Sequence, residues 1–253
     1  MKVLKFGGTS VANSKNIDQV SAIVASQDNN NVVVVSALGG ITDLLMSALQ
    51  IAAKGESSFT QTLKEIEERH LEPIRASVPP EKQSGVISFV KAELNRLETI
   101  LEGVMMLKEV TTKATATITS YGERLSSTII FEIFKNKGYD VVLKDGRDLI
   151  ETQIQNNRTV VNWDATQIKT QEFFKNNSSK CTLVPGFVAR DAAGNSTTLG
   201  RGGSDFSAAI LAHVLNADVL EIWTDVSGMY TANPKLVKQA TPIEKLSYLE
   251  AME

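Results

Sequence analysis

The sequence has few of the residues on which many metal and redox sites depend. Its 253 residues include one cysteine, Cys181, and two histidines, His70 and His213. A single cysteine excludes an internal disulfide and a zinc site built on a cysteine cluster. Neither histidine has a metal-ligand neighbour at a useful spacing, so we assign no metal ligands and no histidine chemistry. Cys181 opens an apolar run and is expected to be a buried strand residue.

Strong net charge and long apolar runs are also missing. The formal net charge is -3, so nothing global predicts a nucleic acid or a membrane surface as a partner. No run of about 18 apolar residues is present to span a bilayer, and residues 1–10 lack the pattern of a signal peptide. We therefore expect a cytoplasmic protein whose length allows a substantial core.

Buried strands alternate with amphipathic helices along the chain. Four consecutive valines at 32–35 are typical of a strand buried on both faces of a parallel sheet. Other strands are predicted at 3–6, 141–143, 183–188 and 219–225, with a small one at 160–161. This alternation predicts an α/β protein, a three-layer αβα sandwich with a largely parallel central sheet.

Residues 56–110 differ in composition from the rest of the chain. They predict two long charged amphipathic helices, broken by Pro73 and by Pro79-Pro80. We interpret them as a helical insertion packed on the sheet, with solvated charged faces; a lid is the alternative. The stretch 111–119 is ambiguous, and the next helix is expected to begin just after Glu123.

Three glycine-containing loops are candidates for a binding site. The loops at 7–10 and 36–40 follow predicted parallel strands, and ligands of such sheets bind beyond the carboxyl ends of the strands. We therefore expect these two loops to be neighbours. The third, 199–205, has three glycines in four positions before a helix that Ser204 or Asp205 would cap. Helix N-terminal amides favour anions, so this loop with its Arg201 predicts an anion site.

The consensus Walker loop and the protein-kinase motifs are missing, but four other stretches resemble the successive signatures of aspartokinase, in the same order. They are KFGGTSV at 5–11, GERLSS at 122–127, GRGGSD at 200–205 and WTDV at 223–226. The resemblance extends across essentially the whole chain. It is greatest to the kinase part of the bifunctional aspartokinase/homoserine dehydrogenases.

The resemblance implies the amino acid kinase fold and a specific reaction. MgATP would phosphorylate the side-chain carboxylate of L-aspartate to give 4-phospho-L-aspartate, the first step towards lysine, threonine and methionine. ATP and Mg²⁺ are thus the implied cofactors. A carboxylate with a pKa near ~3.9 is already ionised at neutral pH and needs no general base. The scarcity of histidine therefore agrees with this chemistry.

Site residues follow from the resemblance, position by position. Lys5 would reach the transferring phosphoryl group, and Asp205 would orient Lys5 or help organise Mg²⁺. Arg201 would pair with the substrate α-carboxylate and Glu123 with its ammonium group. Hydroxyl groups that would donate to the substrate carboxylates belong to Ser36, Thr42 and Ser204.

The nucleotide side is implied in the same way. The amides of Gly7, Gly8 and Gly203 would surround phosphate oxygens. The other predicted ATP-binding residues are Lys5, Ser10, Thr224, Asp225, Tyr230 and Lys235. Lys235 stands where the family usually has arginine, which keeps the charge but loses the planar group.

Simpler interpretations of these residues stay open at this point. Lys5 is also consistent with a strand-end lysine, and Glu123 with half of a charge pair at a helix start. Thr42 and Asp205 are also good helix caps, and Tyr230 is also consistent with a core aromatic.

The domain boundaries are also inferred from the resemblance. The family continues beyond the equivalent of Glu253 with a nucleotide-binding segment, regulatory ACT domains and, in bifunctional members, a dehydrogenase. We therefore expect residues 1–253 to be a kinase domain truncated at its C-terminus, from a full-length protein that forms homo-oligomers. One alternative function is a related kinase of glutamate or N-acetylglutamate. The other is a fragment that binds nucleotide without turnover.

Overall fold

The computed structural model describes residues 1–27, 30–156, 158–234 and 236–252 and divides the chain into two compact units, Met1–Trp223 and Thr224–Glu253. The first unit contains β1 (Lys2–Phe6), α1 (Ser14–Ala25), β2 (Asn31–Val35), α2 (Ile41–Ala53), α3 (Phe59–Ser77), α4 (Pro80–Leu107), α5 (Thr112–Asn136), β3 (Val141–Leu143), β4 (Glu151–Gln155), β5 (Arg158–Val161), α6 (Trp163–Asn176), β6 (Cys181–Pro185), β7 (Val188–Asp191), β8 (Ser196–Thr198), α7 (Gly203–Val214) and β9 (Val219–Trp223). The second contains α8 (Tyr248–Met252) and an antiparallel bridge between Tyr230 and Pro242.

A five-stranded parallel sheet forms the centre of the first unit, in the order β3-β6-β2-β1-β9. All of β2 is buried, and its side chains alternate between two cores. Val33 and Val35 contact the core formed with α1 to α5, whereas Val32 and Val34 contact the core that includes α6 and α7. The predicted αβα layers and the parallel sheet are confirmed.

A second, smaller sheet was not predicted. Its order is β5-β4-β7-β8, with one parallel and two antiparallel pairings. The sequence predicted one strand at 183–188, but Phe187 has a φ of +66° and separates β6 from β7. Because positive φ is rare for a bulky residue, no sequence signal marks this break. The turn predicted at 191–195 is confirmed between β7 and β8.

The two long helices predicted at 56–110 are α3 and α4, but Pro73 does not break α3. Proline in a helix removes one backbone hydrogen bond and crowds the preceding turn. In α3 the residues on either side of Pro73 include Leu71 and Ile74, both buried in the core. Their burial offsets the cost of the proline, so the helix continues to Ser77. That this segment is an insertion stays a prediction.

Helix α5 is continuous over residues 112–136, so the expectation that it begins after Glu123 is wrong. The Thr111 hydroxyl caps it by accepting a hydrogen bond from the amide of Ala114 at 3.0 Å. A threonine-rich stretch has modest helix propensity, but here packing of α5 on the sheet stabilises the helix through this stretch. Glu123 therefore lies in mid-helix, which removes its interpretation as a helix-start charge.

The prediction that Cys181 is a buried strand residue is confirmed. This residue begins β6, is buried, and has its thiol pKa raised to about 12, chiefly by burial. Such a thiol is protonated and unreactive at neutral pH.

His70, in α3, gives a prediction about acid stability. Its Nδ1 donates to the carbonyl of Ile66 at 2.7 Å, and complete burial lowers the pKa of its ring from 6.5 to about 4. The unfolded chain therefore binds a proton below pH 6.5 that the folded chain resists. We expect the free energy of unfolding to fall by roughly 3 kcal/mol between pH 6.5 and pH 4 through this group.

Urea unfolding of wild type and His70→Leu across this pH range measures the effect. The free energy of unfolding of wild type, minus that of His70→Leu, should fall as the pH falls, because leucine does not titrate. His213→Gln, which changes an exposed histidine of α7, is the matched control. A difference between wild type and His70→Leu that stays constant with pH would contradict the prediction.

Candidate active site

A cavity of about 350 Å³ opens at the carboxyl ends of β1 and β2, where parallel sheets bind their ligands. It is bounded by the loop after β1, the loop after β2, the middle of α5 and the start of α7. The predicted site residues that line it are Lys5, Gly8, Ser36, Thr42, Glu123, Arg201, Gly203, Ser204 and Asp205. Segments that lie far apart in the sequence thus meet around one space.

The loops after β1 and β2 pack directly against each other, as expected. A Cβ atom on Gly8 would lie 3.0 Å from the carbonyl oxygen of Ala37. A Cβ atom on Gly39 would lie 3.2 Å from the carbonyl oxygen of Gly8. Glycine at both positions permits this backbone approach, which closes one side of the cavity.

Lys5 lies at the end of β1 on the same face as Val3, towards α7. Its Nζ is 2.7 Å from Oδ1 of Asp205, and its side chain is only 10% exposed. Asp205 lies in the first turn of α7, whose N-cap is Gly202 with a φ of +68°. The expectation that Ser204 or Asp205 caps this helix is wrong, because the left-handed glycine takes the cap position. The Asp205 carboxylate instead pairs with Lys5.

Arg201 and Ser204 flank the N-terminus of α7. Arg201 is exposed, between Gly200 and Gly202, both in the left-handed conformation. Ser204 is buried where the turn after β6 packs against the helix. The packing is close, since a Cβ atom on Gly186 would lie 2.8 Å from the Ser204 Cβ. The cavity thus has an exposed cation at its rim and a buried hydroxyl in its wall.

Glu123 is the unusual charged group of the cavity. Its side chain is 4% exposed, and within the described residues its Oε2 has no hydrogen-bond partner. Burial raises the pKa of this carboxyl to about 8, although a backbone hydrogen bond from Ala37 acts in the opposite direction. A buried carboxyl oxygen that lacks a hydrogen-bond partner costs free energy. A cation that entered the cavity would relieve that cost.

Gly122 brings Glu123 to the cavity. A Cβ atom on Gly122 would lie 2.8 Å from the Cβ of Ala37, closer than side chains pack. The absence of that atom lets α5 approach the loop after β2.

Ser36 and Thr42 approach the cavity from the loop after β2 and the start of α2. Ser126 donates from its hydroxyl to the Ser36 carbonyl at 2.7 Å, which fixes this loop to α5. The N-cap of α2 is Gly40, with a φ of +80°, so the interpretation of Thr42 as the helix cap is wrong. The Thr42 hydroxyl is not used as a cap and lies among the residues that line the cavity.

Phe187 forms an apolar wall of the cavity that the sequence did not reveal. Its positive φ is held by two hydrogen bonds, from its amide to Oγ of Ser207 at 2.8 Å and to its carbonyl from the amide of Leu199 at 2.9 Å. Strained conformations held in this way cluster at functional sites. The sequence gives no signal for it, because a phenylalanine after a buried strand is ordinary.

Two amides that are predicted to contact phosphate form backbone hydrogen bonds in this structure. The amide of Gly7 donates to the carbonyl of Trp223 at 3.3 Å, and the amide of Gly203 donates to the carbonyl of Gly200 at 3.0 Å. Neither amide is free in this structure, because β9 pairs with β1 and the α7 loop forms a turn. Ser10 is similarly placed, with its hydroxyl 3.4 Å from the Trp223 carbonyl. Involvement of these residues in ATP binding stays a prediction.

The other predicted ATP-binding residues lie in the second unit or outside the described residues. Thr224 donates from its hydroxyl to Oδ1 of Asp225 at 3.0 Å, and Tyr230 forms the bridge to Pro242. Tyr230 is half-buried. Their role as ATP ligands stays a prediction. Lys235 lies outside the described residues.

The described residues include neither a metal-ligand cluster nor a membrane-spanning helix. No group of three or more histidine, cysteine, aspartate or glutamate side chains is arranged there to hold a metal ion. Among the helices of the same ranges, none has the length and apolarity needed to cross a membrane.

Comparisons with known proteins agree with this geometry. Residues 1–253 match the model of the amino acid kinase family. The chain is 31% identical to bifunctional aspartokinase/homoserine dehydrogenase 1 of Arabidopsis thaliana, covering 99% of this chain and 28% of the relative. It is also 31% identical to lysine-sensitive aspartokinase 3 of Escherichia coli, over 99% of this chain and 55% of the relative.

A solved structure gives the same result in three dimensions. Aspartokinase III of E. coli, in complex with aspartate and ADP, superposes with a TM-score of 0.87 at 30% identity. The match covers 96% of this chain and 53% of that chain. The chain therefore spans about a quarter to about a half of the length of these relatives.

Proposed function

The chain belongs to the amino acid kinase family, and on that premise we propose that it transfers the γ-phosphoryl group of ATP to the side-chain carboxylate of L-aspartate. The products are 4-phospho-L-aspartate and ADP. The observation that carries the proposal is the buried carboxyl of Glu123, whose Oε2 has no hydrogen-bond partner within the described residues, in the same cavity as Lys5 and Arg201. The aspartate and ADP in the structure of E. coli aspartokinase III support it.

Groups of complementary charge account for recognition of an amino acid. The substrate ammonium pairs with Glu123 and supplies a hydrogen-bond partner for its buried Oε2. Arg201 binds the α-carboxylate, since a guanidinium can donate two parallel hydrogen bonds to it. The hydroxyl groups of Ser36, Thr42 and Ser204 donate to the carboxylates, and Phe187 excludes water from one wall.

Lys5 neutralises charge during the transfer. Both reactants are anionic, so the chain must hold them in line and reduce their repulsion. Lys5 is largely buried and held by Asp205, which makes it a pre-positioned cation for the phosphoryl oxygens. The aspartate carboxylate is itself the nucleophile, and the site accordingly places no histidine in the cavity wall.

The donor set of the cavity is compatible with Mg²⁺ carried by the nucleotide. Mg²⁺ commonly uses one or two protein carboxylates together with phosphate oxygens and water. Asp205 lines the cavity and is half-exposed, so it offers one such carboxylate. When bound, the ion would offset charge on the phosphates. Asp205 would then be shared between the ion and Lys5.

The finer biological expectations belong to this proposal. The reaction is the first step of aspartate-derived amino-acid biosynthesis, towards lysine, threonine and methionine. ATP binding by the second unit, a cytoplasmic location and homo-oligomerisation of the full-length protein remain predictions from the sequence and its family.

Trapping of the acyl phosphate tests the proposal directly. Incubation with MgATP, hydroxylamine and L-aspartate should give aspartate hydroxamate, whereas L-glutamate and N-acetylglutamate should give little product. N-acetylglutamate has no ammonium group for Glu123, and glutamate needs space for one more methylene. Hydroxamate from glutamate but not from aspartate would show that the chain is a related kinase that acts on glutamate. ATP binding by calorimetry without product from either would favour a nucleotide-binding fragment.

Arg201→Ala should raise the aspartate KM by about ten- to a hundredfold. Loss of a charged hydrogen-bonding partner for a carboxylate has an effect of this order, and the exposure of Arg201 keeps it below that of a buried group. The ATP KM should change by less than about threefold. Steady-state kinetics with each substrate varied measures both values. Arg158→Ala, at an exposed position of β5, is the control. A change in the ATP KM of Arg201→Ala that exceeds the change in its aspartate KM would overturn the assignment.

A further inference from the structure

Helix α3 contacts the loop after β2 and the start of α1, which follows the loop after β1. Arg69 donates from Nη2 to the carbonyl oxygen of Gly39 at 2.5 Å. One turn later, Glu72 accepts from the amide of Ser14 at 3.0 Å and from its hydroxyl at 2.5 Å. Residues three apart lie on one face of a helix, so both contacts come from the same face of α3. This face belongs to the helical segment for which the sequence suggested only solvated charges.

The Arg69 contact falls on the amino acid side of the cavity. Gly39 and Gly40 line the cavity, and the Arg69 Nη1 lies 4.0 Å from the place where a Cβ atom on Gly40 would be. Gly40 adopts the left-handed conformation that starts α2 and thereby orients Thr42. Two successive glycines have many alternative conformations. A charged hydrogen bond to the carbonyl between them restricts that freedom.

The Glu72 contact falls on the phosphate side. Ser14 is the first residue of α1, and only Ala12 and Asn13 separate it from the turn at Thr9–Val11 that follows Gly8. Asn16 of the same helix donates from its side chain to the carbonyl of Thr9 at 2.6 Å. A fixed start of α1 therefore fixes the loop that carries Gly8.

We propose that Arg69 and Glu72 of α3 are positioning residues for phosphoryl transfer, Arg69 for the aspartate-binding loop and Glu72 for the phosphate-binding loop. The assignment of substrates to the two loops rests on the proposed function, whereas the mechanical contact does not. Neither residue is among the lining residues of the cavity. Arg69 acts through Gly39, which lines the cavity, and Glu72 acts through the start of α1, which follows the loop that carries the lining residue Gly8.

Hydrogen exchange of the substrate-free protein tests the mechanical part. The amide of Ile41 donates to the carbonyl of Leu38 at 3.0 Å and thus reports on the turn at Gly39 and Gly40. Arg69→Met keeps the side-chain stem but removes the donors, and should speed exchange of the segment 36–42 by about tenfold. Arg69→Lys, which keeps a charged donor, should lie between Arg69→Met and wild type.

Arg75→Met is the matched control, because Arg75 lies on the same helix and pairs with Glu68 on the surface at 2.9 Å. Its exchange over 36–42 should equal that of wild type. Equal exchange in Arg69→Met and Arg75→Met would overturn the proposal. Should Arg69→Met fail to fold, the same comparison between Arg69→Lys and Arg75→Met decides the result.

Kinetics separates the two loops. Arg69→Met should raise the aspartate KM about tenfold and leave kcat and the ATP KM within about twofold. Glu72→Gln should raise the ATP KM more than the aspartate KM. Equal changes in both constants for both variants would mean a general structural role and would overturn the proposal. If wild type forms no aspartate hydroxamate, the proposed function fails while the exchange result still stands.

Discussion

Lys5→Met should lower kcat about a thousandfold while leaving the aspartate KM within severalfold of wild type. The substitution keeps the length and apolar stem of the side chain but removes the charge beside the transferring phosphoryl group. Preorganised cationic or hydrogen-bonding groups at developing charge contribute about two to three orders of magnitude to a rate. Single-turnover measurement of hydroxamate at saturating substrates reports this step.

The surroundings of Lys5 make the effect large. A side chain that is only 10% exposed and paired at 2.7 Å with Asp205 is already ordered, so it loses little conformational entropy when substrates bind. Its charge therefore acts on the transition state without prior reorganisation. Asp205→Asn should reduce kcat less than Lys5→Met does, because the lysine stays in place.

Lys2→Met provides the matched control for Lys5. Lys2 lies on the same strand and pairs with Glu221 at 2.9 Å, but it is not among the residues that line the cavity. Its kcat should match that of wild type. A Lys5→Met enzyme that keeps normal kcat but binds ATP poorly would show that Lys5 binds the nucleotide without stabilising the transfer.

The sequence predicted those parts of the fold that depend on local patterns. The valines at 32–35 predicted a strand with two buried faces. The glycines at 7–8 and 39–40 predicted loops after β1 and β2. These patterns are repeated in the structure because alternation and backbone freedom are local properties. They also explain why Lys5 and the loop after β2 were placed at one edge of the sheet.

The errors arose where tertiary packing decides. Thr42 and Asp205 have the chemistry of helix caps, but left-handed glycines precede them and take that position. Glu123 was placed near a helix start, although packing continues α5 through it for a full 25 residues. The contact of Arg69 with Gly39 joins positions 30 residues apart, and no sequence spacing encodes it.

Glu123→Gln should raise the aspartate KM by about two to three orders of magnitude. Removal of one partner from a buried charged pair costs several kcal/mol, because the substrate ammonium then enters the cavity without a counter-charge. The ATP KM should change little. Glu132→Gln, on the same helix but outside the lining residues, is the control for a general effect on α5.

The pH dependence of the aspartate KM tests the proposal that Glu123 binds the substrate ammonium. Burial raises the pKa of this carboxyl to about 8, so at pH 7 most of the empty protein carries it uncharged. Only the ionised form pairs with the ammonium, so the aspartate KM of wild type should fall with rising pH, by up to about tenfold per unit, and level off near pH 8. The profile of Glu123→Gln should be flat over this range.

The same substitution should stabilise the empty protein in alkaline solution. A carboxyl whose pKa is raised on folding contributes stability below pH 4.5, the pKa of the unfolded chain, and loses it as the pH rises through about 8. Glutamine does not titrate, so the Tm of Glu123→Gln should exceed that of wild type at pH 8.5 even though aspartate binding is lost. Lower stability together with weaker binding would instead indicate a structural role for Glu123. Higher stability with weaker binding is the result that requires a carboxyl group kept in the cavity for its ligand.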